Sequence, residues 1–228
     1  MKKIEETPVY GVIPPVNKQF NDFNLYDDDY SLPSVFLKKI KIWFGKPKEK
    51  CPKCLLGIKC WYINYITGEE EESDYHGCEL KQTDIETNEL EVKDKDYFTK
   101  IDIGYDFYIT HFKISTKNQK FIEFGEIEKE YEKIISMNME DNMILFFTGY
   151  FNSKGLRAIK IKYISRLYFV FYRILDILKL RYMLKKNEKL KKSYLNEINY
   201  NKLDDSMKCF LHTCIFPDAV FASILKFL

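Results

Sequence analysis

The chain has 228 residues, 46% of them hydrophobic and 31% charged, which allows a packed core and excludes wholesale disorder. Its 36 basic and 34 acidic side chains leave a formal net charge of +2, so the overall balance gives no general attraction for nucleic acid. The aromatic share is high at 16%, and alanine occurs only at Ala158, Ala219 and Ala222, a skew that reads as compositional drift and gives lysine and asparagine richness little functional weight.

The opening Met1-Lys-Lys-Ile-Glu-Glu has no apolar stretch behind its lysines, so it does not read as a secretory signal. The expectation is an intracellular chain, in the cytoplasm or on the cytoskeleton. Cys51, Cys54, Cys60, Cys78, Cys209 and Cys214 are then reduced by default. Residues 1–49 read as an extended N-terminal arm punctuated by Pro8, Pro14, Pro15, Pro33 and Pro47, because proline lacks an amide donor and pushes its predecessor into extended geometry. Such an arm is either a loose tail or a segment lying on a surface. Within it, Val35 to Phe44 is an amphipathic stretch that suits a helix or a strand.

Residues 50–165 are strand-like. Gly57 to Ile66 mixes β-branched and aromatic residues and ends at a Thr67-Gly68 turn. Phe107 to Ile114 alternates with period two, Phe107, Ile109 and His111 on one face and Tyr108, Thr110, Phe112 and Ile114 on the other. Phe121 to Phe124 returns after a polar turn. Met143 to Phe147 is a continuous apolar strand, Gly149 to Gly155 reads as a loop, and Leu156 to Ile164 alternates again. Short strands at this spacing imply an antiparallel all-β prism, barrel or sandwich.

Residues 166–228 change period and predict a helical tail. Arg173, Asp176 and Lys179 recur every three residues through an otherwise apolar run over 167–184. Those charges, with Arg181, make the run a poor membrane span, so an integral membrane protein is not expected. The basic segment Lys185 to Lys192 reads as a solvated helix end.

The β region resembles the jacalin-like lectin family. The resemblance is carried by Gly57-Ile-Lys-Cys-Trp-Tyr-Ile-Asn-Tyr-Ile-Thr-Gly68, His76-Gly77, Tyr97 to Gly104, Ile109 to Thr116, Lys120-Phe-Ile-Glu-Phe-Gly125, Leu145-Phe-Phe-Thr-Gly149 and Leu156-Arg-Ala-Ile159. It implies a β-prism of three antiparallel sheets over residues 50–165. It also implies a shallow sugar site in the last loop, built here from Gly149, Tyr150, Asn152, Gly155 and Arg157. There the family supplies an aspartate in a Leu-Asp pair, an acceptor for two sugar hydroxyls. This chain has Leu156-Arg157, and arginine only donates. Lys48 to Cys54 stands where the family's glycine-rich entry is expected.

Cys51-Pro-Lys-Cys54 is a CxxC knuckle, and His76 with Cys78 could complete a zinc tetrahedron if a hairpin returns them to it; otherwise the cysteines are reduced thiols and no cofactor is needed. Glu69 to Glu72 reads as a solvated loop. No nucleophile elbow, catalytic triad or phosphate-cradling loop is present in the sequence, so an enzyme is not expected. The sequence therefore predicts a non-enzymatic structural or interaction protein. In this reading a degenerate jacalin-like domain is the scaffold, and the arm and C-terminal helices bind protein partners in a larger assembly. The alternative is a carbohydrate-binding lectin.

Overall fold

The computed structural model describes residues 4–13, 18–25, 35–49, 51–64, 68–80, 84–93, 96–125 and 133–167. In chain order the strands are β1 (Glu5–Glu6), β2 (Tyr10–Gly11), β3 (Lys18–Asn21), β4 (Val35–Gly45), β5 (Cys54–Asn64), β6 (Glu70–Glu72) and β7 (His76–Gly77). They continue with β8 (Ile85–Glu91), β9 (Phe98–Tyr105), β10 (Ile109–Thr116), β11 (Phe121–Phe124), β12 (Lys133–Asn138), β13 (Asn142–Asn152) and β14 (Gly155–Ser165). One 3-10 turn, Asp22–Leu25, follows β3. The chain divides into two compact units, Met1–Ile63 with Glu70–Arg166 and Asn64–Glu69 with Leu167–Leu228. The helical tail expected over 166–228 lies almost wholly outside the described residues, and among those residues no helix is long and apolar enough to cross a membrane.

Three sheets repeat one plan, ordered β1-β14-β13-β3, β6-β5-β4-β8 and β11-β10-β9-β12, with β2 also on β14 and β7 also on β5. Each has a pair of consecutive strands at its centre (β13–β14, β4–β5 or β9–β10) and an outer strand on either side. This is the predicted mainly-β prism. Period-two alternation builds it. In β4, Ile40, Ile42 and Phe44 are buried while Lys39, Lys41 and Trp43 are half-exposed, which resolves the helix-or-strand ambiguity of that stretch. Ile58, Cys60 and Tyr62 of β5, Ile101 and Ile103 of β9, Phe112 and Ile114 of β10, and Leu145, Phe147, Ile159 and Ile161 of β13–β14 are fully buried. Each such aliphatic or phenyl side chain contributes about 1.5–3 kcal/mol.

The boundary drawn at residue 50 is corrected by the strand pairing. β1 pairs with β14 in the register Glu5↔Tyr163, β2 pairs with β14 at Gly11↔Ala158, and β3 pairs with β13 at Phe20↔Gly149. Thr7 exchanges both main-chain and side-chain hydrogen bonds with Ile161, and Glu6 ion-pairs with Lys160 and Lys162. Residues read as an arm are therefore sheet edges, and β4 is a central strand. The prolines separate short strands rather than exclude them. Covering both edges of the β13–β14 hairpin satisfies backbone groups that an exposed edge leaves open.

Two local expectations are also corrected. Gly149 to Tyr150 is strand, not loop, with Gly149 opposite Ile159 and Tyr150 opposite Ala158. The glycine serves close approach, because a Cβ there would meet the Phe20 ring at 2.7 Å. Glu70 to Glu72 is an exposed edge strand on β5, pairing with Ile63 to Trp61, and Lys38 and Lys59 ion-pair with Glu70 and Glu72.

Candidate carbohydrate site

The candidate site begins with the β13–β14 hairpin. Asn152 faces Gly155 across a tip made of Ser153 and Lys154, both exposed. The Asn152 Oδ1 accepts the Lys154 amide at 2.8 Å, a local turn that asparagine forms readily. Gly155 has φ +138, and a Cβ on it would stand 2.7 Å from the Leu55 carbonyl and 3.3 Å from Cys54 Sγ, so glycine is required there. Of the sequence-predicted residues, Asn152, Gly155 and Arg157 gather at the tip. Gly149 and Tyr150 stand farther down β13, Gly149 against Phe20.

Connections from the other two sheets close on this tip. The Lys154 carbonyl lies 3.7 Å from Cys54 Sγ at the start of β5. Tyr108, in the turn between β9 and β10, packs against the Cys54, Leu56 and Cys78 cluster, as do Trp43 and Ile85. Arg157 reaches the same place: its guanidinium carbon is 4.3 Å from the Tyr108 ring centroid, a cation–π contact. Phe107, beside Tyr108, is 63% exposed, and Asp106 before it is also exposed. One end of the first unit thus presents turn backbone, an exposed aromatic edge, a carboxylate and an arginine fork. The arginine itself is only 7% exposed.

The four expected zinc ligands do not form a site. Among the described residues no three His, Cys, Asp or Glu side chains are placed to hold a metal ion. His76 Nε2 instead meets Asp22 Oδ1 at 2.6 Å, and the Tyr62 hydroxyl donates to Asp22 Oδ2 at 2.5 Å. Phe20 stacks on the His76 ring with centroids 4.2 Å apart. Burial, reinforced by Cys78 and Cys51 and opposed by Arg157, pushes the Cys54 thiol up to about 12, and burial also raises Cys78. Burial likewise holds the Tyr62 hydroxyl protonated, with Cys60 and Asp22 adding to the effect. Asp22, Tyr62 and Tyr108 were not singled out in the sequence. Asp22 lies in the segment read as an arm, 40 residues from Tyr62 and 54 from His76.

A fold of three sheets on one plan, with hairpin tips meeting at one end, defines a lectin-type β-prism. The family model for the jacalin-like lectin domain matches residues 26–161, and the chain belongs to that family. The match starts well before residue 50, in agreement with the strand pairing. Among solved structures, wild-type Malaysian banana lectin matches with a TM-score of 0.53 at 17% identity, covering 72% of this chain and 100% of that one. A mannose-binding jacalin-related lectin from Ananas comosus gives 0.51 at 14% identity, covering 71% and 98%. Artocarpin in complex with mannotriose gives 0.51 at 14%, covering 72% and 99%. At these identities the likeness establishes the fold alone. No curated protein matches the chain.

Proposed function

We propose that this chain is a non-enzymatic carbohydrate-binding protein whose sugar site is the end of the prism where the β13–β14 tip meets Tyr108 and the start of β5. The observation that supports this best is that convergence, in a member of a lectin-domain family. The Ser153–Lys154 tip is exposed, Asp106 offers a hydroxyl acceptor, and the Phe107 ring offers an apolar surface for a sugar face. A glycan array probed with the full-length chain tests the proposal. It is supported by saturable binding to a defined set of sugars that is lost in a Ser153→Pro, Lys154→Pro double variant. Binding to no glycan, with the fold intact, overturns it.

A second reading is favoured by one specific observation. Arg157, a donor with a buried side chain, stands on β14 at the position where the family resemblance places an acceptor. On that reading the domain is a scaffold in a larger intracellular assembly, such as a cytoskeletal one, and its ligands are proteins. Empty glycan arrays together with stoichiometric co-purification of a defined protein complex would favour it.

A further inference from the structure

Arg157 is the one feature of this end of the molecule that a neutral sugar does not account for. The residue is 7% exposed, and its Nε is buried without a hydrogen-bond acceptor. Among the described residues its guanidinium meets the Tyr108 ring, and no carboxylate forms an ion pair with it. Buried cations are ordinarily paired, because desolvating a charge is costly unless an opposite charge or hydrogen bonds replace the water. Arginine is also the side chain whose planar fork fits an oxyanion in two parallel hydrogen bonds.

The charged groups around it do not decide the matter by themselves. Lys46 and Lys48 in the connection before β5 and Lys154 on the tip are exposed, and Lys53 pairs with Glu86. Glu49 lies in the same connection as the first two, Asp84 before β8 and Asp106 between β9 and β10. These charges roughly balance and make no diffuse basic patch. What stands out is a single buried arginine, unpaired among the described residues, beside the candidate site.

We infer that the ligand of this site is an acidic sugar, one whose carboxylate or sulfate oxyanion takes the open face of the Arg157 guanidinium. The inference rests on the carbohydrate reading above and specifies its substrate class. The oxyanion supplies the missing acceptor for the fork, while the sugar ring lies across the tip backbone and the Phe107 edge.

Calorimetry on the full-length chain with matched pairs tests it: methyl glucuronide against methyl glucoside, and galactose 6-sulfate against galactose, with inorganic sulfate alone as control. The acidic member of at least one pair should bind ~10-fold or more tighter than its neutral partner. Arg157→Gln should remove that preference, and Arg157→Lys should restore only part of it, because an ammonium keeps the charge and lacks the fork. Should Arg157→Gln fail to fold, the comparison within each pair on the unaltered chain still decides. Equal binding of acidic and neutral members, a preference that survives Arg157→Gln, or inorganic sulfate binding as tightly as the sulfated sugar would each overturn the inference. Neutral sugars binding where acidic ones do not would sink the acidic class and leave the carbohydrate reading standing. No binding in either pair and none on the array would sink both.

Discussion

Asp22 and Arg157 are both buried charges, and their surroundings differ. Asp22 receives the Tyr62 hydroxyl on one oxygen and faces His76 on the other, so its desolvation is offset. Asp22→Ala leaves both partners buried without it and should cost about 3–5 kcal/mol in urea unfolding. A loss under about 1 kcal/mol would show that the network contributes little to stability. Arg157 has no such acceptor among the described residues, so the ligand-free chain carries a charge that folding does not compensate there. Arg157→Met should therefore raise the stability of the ligand-free protein by about 1–2 kcal/mol while abolishing the acidic-sugar preference. Thermal unfolding with and without sugar reads both effects. The buried thiols give a pH dependence. Burial raises Cys54 from its ordinary 9.0 to about 12, and Cys60 and Cys78 move the same way. The unfolded chain releases these protons first. The contribution of Cys54 is therefore complete below pH 9 and declines as pH rises from 9 towards 12, by up to about 1.4 kcal/mol per pH unit. Denaturation midpoints across that range, with Cys54→Ala as the comparison, check the sign: the slope should be shallower in the variant.

At the scale of elements, the β13–β14 hairpin carries the site and the N-terminal strands carry the hairpin. Gly155→Val forces a branched side chain into φ +138 against the Leu55 carbonyl. It should destabilise the fold by about 1–3 kcal/mol, seen as a lowered melting temperature, and should disturb the tip before the rest of the sheet. The sequence made this hairpin legible only in part. Leu156 to Ile164 showed its period, but Gly149 read as a loop residue because glycine marks both turns and close approaches. The Ala158 carbonyl across the hairpin and the Phe20 ring, 129 residues earlier in the chain, distinguish them. The same limit hid Asp22. A carboxylate in a proline-punctuated segment carries no local sign that a tyrosine and a histidine from β5 and β7 will close on it. The central strands were legible because period two needs no knowledge of partners. The short edge strands β1 to β3, two to four residues long, are set by pairing rather than by their own pattern.

At the scale of the whole molecule, the last strand of the core ends at Ser165 and the first unit ends at Arg166. A chain ending there should retain the near-ultraviolet dichroism and hydrogen-exchange protection of the β core. Removing residues 1–25 instead uncovers both edges of the β13–β14 hairpin and deletes Asp22, and should give insoluble protein. Arg157 was legible as a departure from the family pattern from its place beside Leu156. Its burial, its stacking on Tyr108 and its unmet Nε were not, since they depend on how three sheets meet at one end. The most direct test of the carbohydrate reading is amide chemical-shift mapping on the full-length chain with the tightest sugar from the array. The account predicts that the largest perturbations fall on Asp106 to Tyr108 and Asn152 to Arg157 together. Perturbations confined to other strands, or none at saturating sugar, would contradict it.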